Sequence, residues 1–152
     1  MLCVMGPPVT EPIGLQVTRT AKLLSRAFDD ALAEAGGSLP VWLVLVSVKG
    51  QAQAMQRELA ETVGIEGPTL THHLNRMEAA GLLTRRRDPG NRRVHRVELT
   101  SDGEALFFRL LESVTAFDRR LRAGISDKQI DSLSRILGRL RANAASPERV
   151  AR

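Results

Sequence analysis

The chain has 152 residues, 43% of them hydrophobic, and Lys plus Arg exceed Asp plus Glu by 22 to 17 for a formal charge of +5. That length suits one folded unit with apolar residues enough to bury a core, and the positive balance favours polyanionic partners over acidic ones. One cysteine, Cys3, excludes an intramolecular disulfide and a Cys-rich zinc site, and a reducing compartment such as the cytoplasm is expected.

Residues 1–11 read as a disordered tail, since the N-terminus lacks the basic and apolar stretches of a secretory signal. Between 13 and 35, Val17, Ala21, Leu24, Phe28, Ala31 and Ala35 recur at three- and four-residue steps, the stripe of an amphipathic helix that Gly36-Gly37 ends. Residues 39–46 are ambiguous on pattern alone. Their β-branched content suits a buried strand, while Pro40 suits the first turn of a helix. This apolar run is about half the roughly 20 residues that a spanning helix requires, so no membrane segment is expected.

After Gly50, the spacing of Met55, Leu59, Val63 and Ile65 predicts a short amphipathic helix broken at Gly64. Gly67-Pro68 reads as an N-cap followed by proline at the first helical position, and Leu70, Leu74 and Met77 form one face of a helix that Gly81 stops. Residues 82–87 and 94–100 flank the turn formers Asp88-Pro89-Gly90-Asn91, so the segment predicts a β-hairpin, with His95 sharing the inward parity of Val97 and Leu99. Ser101-x-x-Glu104 and Ser126-x-x-Gln129 have capping-box spacing, and Ile125 and Ile130 flank the second as a hydrophobic staple. Phe107, Leu110, Val114, Phe117 and Leu121 continue the first of these helices, and Ile130, Leu133, Leu137, Leu140 and Ala144 the second.

Function is carried by the order helix, turn, helix, arginine-rich hairpin. Residues 82–100 hold six arginines, at 85, 86, 87, 92, 93 and 96, against Asp88 and Glu98, a net +4. A helix fits the DNA major groove and an arginine-tipped loop reaches phosphates or the narrow minor groove beside it. Opposite Leu70, Leu74 and Met77, the second helix presents Thr69, His72, Asn75 and Arg76, with Thr71 and His73 at the edges. These are hydrogen-bonding side chains of the kind that meet base edges.

The stretches Glu58-Leu59-Ala60-Glu61, 64–74 and Met77-Glu78-Ala79-Ala80-Gly81-Leu82-Leu83, continued by Arg92-Arg93, Val97-Glu98-Leu99-Thr100 and Gly103, resemble the DNA-binding lobe of MarR-type regulators. The resemblance implies a mainly α, winged helix-turn-helix fold of about six helices plus a β-hairpin wing, dimerised through the N- and C-terminal helices. It also implies that the run around Trp42 is helical, that a pocket for a small aromatic or phenolic effector lies between the dimer region and the lobe, and that Arg93, with Arg92 beside it, enters the minor groove. Asn91 stands where the family's wing usually carries Asp, which predicts a looser wing tip.

Each of these features also has a plainer explanation. Arginines 85–87 could be a solvated strand edge that discourages aggregation. His72 and His73 point about 100° apart on a helix and do not share one ion easily, so no metal site is expected. His95 is expected to be a packing residue. Trp42 is either core or a lining residue of the effector pocket, and Cys3, in a tail without a fixed basic neighbour, is not expected to sense redox state.

The sequence therefore predicts a tail at 1–11, a dimerisation helix at 12–37, a DNA-binding lobe at 38–100 with its recognition helix at about 67–80 and its wing at about 82–100, dimerisation helices at 101–145, and a flexible tail at 146–152. The DNA-binding set is Thr69, Thr71, His72, His73, Asn75, Arg76, Arg86, Arg92 and Arg93, and Trp42 is the effector-pocket candidate. The partners expected are a pseudo-palindromic duplex and a second copy of the chain, for a repressor released by its effector. No enzyme motif and no cofactor is expected; the alternative is a winged-helix protein-interaction module without DNA binding.

Overall fold

The computed structural model describes residues 11–50, 54, 55, 59, 60, 64, 66–88, 90 and 95–145, with no side-chain description at 54, 55 and 95. In chain order the elements are α1 (Ile13–Glu34), α2 (Leu39–Gly50), β1 (Ala54–Met55), α3 (Gly67–Ala79), β2 (Leu83–Arg87), β3 (His95–Leu99), α4 (Ser101–Leu121) and α5 (Asp127–Ala145). Leu59 and Ala60, between β1 and α3, are also helical. The architecture is mainly α with one antiparallel sheet, as the sequence predicts.

Local chemistry sets the boundaries. At the end of α1, Gly36 takes φ +87° and its N–H donates to Ala33 O, while Gly37 N–H donates to Leu32 O. The same pair of bonds closes α3. There Gly81, at φ +72°, donates to Glu78 O and Leu82 donates to Met77 O, which satisfies two otherwise unpaired carbonyls through a left-handed residue that glycine adopts without strain. The run around Trp42 is helical despite its β-branched residues, and Trp42, Val44, Leu45, Ser47 and Val48 are withdrawn from solvent while Val46, Lys49 and Gly50 are exposed. The cap of α3 lies one residue earlier than expected, with Glu66 in extended conformation and Gly67 already helical.

Two expectations fail. Met55, expected in a helix, lies in β1, where Ala54 pairs with Val97 and Met55 with Arg96, so β3 is the central strand of a sheet ordered β1-β3-β2. The tertiary ladder overrides a local helical spacing that two residues cannot enforce. The capping box at Ser101 is likewise replaced. Thr100 is the cap of α4, its Oγ1 accepting the Gly103 N–H at 3.1 Å and donating to Gly81 O at 2.5 Å, while Glu104 pairs instead with Lys49 at 2.7 Å. The second box forms as read: Gln129 Oε1 accepts the Ser126 N–H at 2.9 Å, and Ser126 Oγ accepts the Gln129 N–H at 3.4 Å.

The chain divides into two units, Met1–Thr115 and Ala116–Arg152. The first holds the core, in which Leu32, Val44, Leu45, Leu59, Leu74 and Leu110 are wholly buried and Leu70, Leu83 and Val97 nearly so. Leu32, outside the stripe read from the sequence, is the most buried residue of α1; Phe28, Ala31 and Ala35 are half-buried around it. Ser113 Oγ donates to Ala31 O at 2.8 Å, tying α4 to α1. In the second unit α5 buries none of its residues, and Leu133, Ile136 and Leu137 are 48%, 54% and 37% exposed. Among the described residues no single helix is long and apolar enough to cross a membrane.

Candidate nucleic-acid interface

The burial of α3 follows the sequence periodicity. Leu70, Leu74 and Met77 are buried against the core, and Thr69, His72, Asn75 and Arg76 are exposed on the opposite face with Thr71 and His73 half-buried at its edges. Thr71 Oγ1 donates to Gly67 O at 2.9 Å, and the rings of His72 and His73 meet edge to face at 5.9 Å. The expected helical contact residues thus share one solvent-facing surface.

The hairpin beside it is in register from Leu83 opposite Leu99 to Arg87 opposite His95. Strand alternation therefore divides the arginines into two sets. Thr84, Arg86, Arg96 and Glu98 take one face; Leu83, Arg85 and Arg87 take the other with Val97 and Leu99, whose parity is that of the buried Leu83 and Val97. Arg85, inward in parity, turns to α3. Its Nε donates to Glu78 Oε2 at 3.0 Å, its Nη2 donates to the same oxygen at 2.5 Å and to Asn75 Oδ1 at 2.6 Å, and its backbone N–H donates to Glu78 Oε1 at 3.2 Å.

Arg96 is held as well, its Nε donating to Asp88 Oδ2 at 2.5 Å; Asp88, 8% exposed, also accepts the Gly90 N–H at 2.7 Å. This clasp matters because Arg96 sits directly opposite Arg86, and like charges facing each other across a ladder destabilise it unless one is neutralised. Arg92 and Arg93, with Asn91, lie outside the described residues. Arg76, Arg86 and Arg87 make no ion pair among the described residues, and all three are exposed. The local net charge read from the sequence is therefore partly neutralised inside the lobe, and what faces solvent is the set that pairs with no described residue.

Sequence reasoning missed the framework of Glu78, Arg85, Asp88 and Arg96. Strand parity was the signal available for Arg85: two residues after buried Leu83, it shares the inward face. Trp42 lies in the core, 9% exposed and stacked on Phe107 with ring centroids 5.8 Å apart. Beside it Lys49 Nζ stands 5.6 Å and 5.5 Å from the ring centroids of Phe107 and the exposed Phe108. Among the described residues no group of His, Cys, Asp and Glu is placed to hold a metal ion.

Residues 38–95, from the residue before α2 to the first of β3, match the MarR family. Solved structures agree along most of the chain's length. A MarR-family transcriptional regulator from Rhodococcus sp. RHA1 is 26% identical, with a TM-score of 0.73 over 87% of this chain and 94% of that one. The transcriptional repressor CouR, bound to a 23-mer DNA duplex, is 26% identical with a TM-score of 0.77, covering 85% of this chain and 92% of that one. CouR from Rhodococcus jostii RHA1 bound to p-coumaroyl-CoA, also 26% identical, has a TM-score of 0.74 over 87% and 93% of the two chains. Within the matched residues lie the polar face of α3 and the exposed Arg86 and Arg87 of the hairpin, with Leu70, Leu74 and Met77 in the core behind them.

Proposed function

We propose that the chain is a cytoplasmic, homodimeric regulator of transcription that binds double-stranded DNA and acts as a repressor released by a small aromatic or phenolic effector. The observation that carries this reading is the exposed row Thr69, His72, Asn75 and Arg76 on a helix whose other face is core, beside the exposed Arg86 and Arg87 of the hairpin. Such a helix supplies groove contacts, and such cations supply phosphate contacts. Residues 38–100 form the DNA-binding lobe in this reading, with Arg92 and Arg93 at the wing tip. CouR bound to a DNA duplex, and CouR bound to p-coumaroyl-CoA, support the nucleic-acid partner and an aromatic effector respectively.

The dimer follows from apolar surface. α1 leaves Ile13, Leu15 and Leu23 at 56%, 43% and 68% exposure, and α5 buries nothing. Long helices of this kind are stabilised mainly by covering an apolar face, and a second copy of the chain covers it at residues 12–37 and 101–145.

The test is duplex binding as a function of salt. A two-fold dimer requires a pseudo-palindromic operator with half-sites roughly 10 bp between centres. Arg86→Ala and Arg93→Ala should each weaken binding and flatten the log–log salt slope by about 0.9 for every phosphate that the variant no longer neutralises. Footprints without dyad symmetry, or slopes that do not move in either variant, contradict the reading. Trp42 is the only tryptophan, so effector titration followed by its fluorescence reports directly on the pocket assignment.

A further inference from the structure

We propose that Arg85 is a positioning residue that fixes the amide of Asn75 for guanine, and so sets the base preference of the recognition helix. This deepens the DNA-binding reading above and rests on it. Asn75 and Glu78 are three residues apart on α3, hence neighbours on one edge of the helix. The Arg85 guanidinium bridges them, with Nη2 2.6 Å from Asn75 Oδ1 and Nε 3.0 Å from Glu78 Oε2, and its own backbone N–H anchors the other carboxylate oxygen at 3.2 Å. A planar guanidinium held at several points has little freedom to turn away.

The consequence for Asn75 follows from donor and acceptor chemistry. An amide has an oxygen that accepts and a nitrogen that donates two hydrogens, and a guanidinium only donates. The oxygen of Asn75 must therefore face Arg85; the reversed amide would set donor against donor. With the oxygen turned toward Arg85 and one of its lone pairs engaged there, the amide is left to lead into the groove with the two donor hydrogens of Nδ2. The familiar bidentate contact of Asn with adenine needs both halves of the amide, accepting from N6 and donating to N7, whereas guanine presents two acceptors, N7 and O6, in the same groove. Held in this way, Asn75 matches guanine and is mismatched to adenine. Arg85 itself is engaged within the lobe and is not one of the phosphate contacts, although it stands in the same arginine run as Arg86 and Arg87.

In vitro selection from a randomised duplex library tests this with four purified proteins: wild type, Asn75→Ala, Arg85→Ala and the double variant. Wild type should prefer guanine at one position of each half-site, and Asn75→Ala should abolish that preference. Arg85→Ala, which frees the amide to turn, should shift the guanine-to-adenine ratio there by roughly tenfold toward adenine. The double variant should match Asn75→Ala, because Arg85 acts through Asn75. The salt slope should stay unchanged in Arg85→Ala while Arg86→Ala flattens it by about 0.9. Glu78→Gln, which keeps the shape and weakens the hold on the guanidinium, should shift the same position and provides the readout if Arg85→Ala does not fold. Adenine preference in wild type, no change at that position in Arg85→Ala or Glu78→Gln, or a slope flattened by about 0.9 in Arg85→Ala would each overturn the proposal. Wild type that binds no duplex in the library would instead refute the DNA-binding reading itself.

Discussion

Gly103 is the position at which a single methyl group should be least tolerated. It lies in the first turn of α4, and a Cβ built there would stand 1.9 Å from Leu82 O and 2.9 Å from Leu82 C, both backbone atoms with no rotamer to yield. Ordinary contact distance would require the start of α4 and the Leu82 peptide to separate by about 1.5 Å. That movement breaks what joins them: the Thr100 N–H to Leu82 O bond at 3.1 Å and the Thr100 Oγ1 to Gly81 O bond at 2.5 Å. Two hydrogen bonds at about 1 kcal/mol each, with overpacking strain of about 1–3 kcal/mol, are offset by about 1 kcal/mol of helix propensity gained from alanine. Gly103→Ala should therefore cost about 2–4 kcal/mol, which for a chain of this size lowers Tm by about 5–15 °C. Thermal unfolding followed by circular dichroism, at fixed protein concentration because assembly shifts apparent stability, measures it. Gly14→Ala is the control, since a Cβ there meets nothing within 4 Å. If Gly103→Ala melts within about 2 °C of wild type, the argument from close backbone approach is wrong.

Other perturbations follow from the same geometry. Asp88→Asn keeps an acceptor for the Gly90 N–H but leaves Arg96 uncompensated opposite Arg86; because Arg96 is partly exposed, the cost should be about 1 kcal/mol, seen as hydrogen exchange in β2 and β3 several-fold faster than wild type. Ile136→Asp places a charge on a residue that is 54% exposed in the single chain, so it should leave the fold intact and weaken self-association at least tenfold by sedimentation; unchanged association excludes Ile136 from the interface. Ser126→Ala removes the Oγ that accepts the Gln129 N–H, and should cost about 0.5–2 kcal/mol, read from urea unfolding.

The sequence alone determined the helical stripes, the glycines that end α1 and α3, the hairpin, and the division of α3 into a buried and a polar face. Each depends on interactions within a few residues, where spacing and backbone preference are sufficient. Leu70, Leu74 and Met77 were legible as core for that reason, and Thr69, His72, Asn75 and Arg76 as the surface opposite. The helical state of the run around Trp42 was not legible from pattern, because apolar residues fill its exposed position Val46 as well as its buried ones and so erase the periodicity; there the family resemblance carried the expectation.

Only the tertiary structure decided which charges remain available. Six arginines in one hairpin look equivalent as sequence, but pairing with β3 fixes which of the described ones point inward, and contacts with α3 and Asp88 take Arg85 and Arg96 out of the solvent-facing set. The same applies to Met55, drawn into a strand by Arg96 as its ladder partner, and to Thr100, which caps α4 because Leu82 and Gly81 come close enough to share its hydrogen bonds. Partners distant along the chain leave little trace in local spacing, since the cost of closing the intervening loop is met by the fold as a whole.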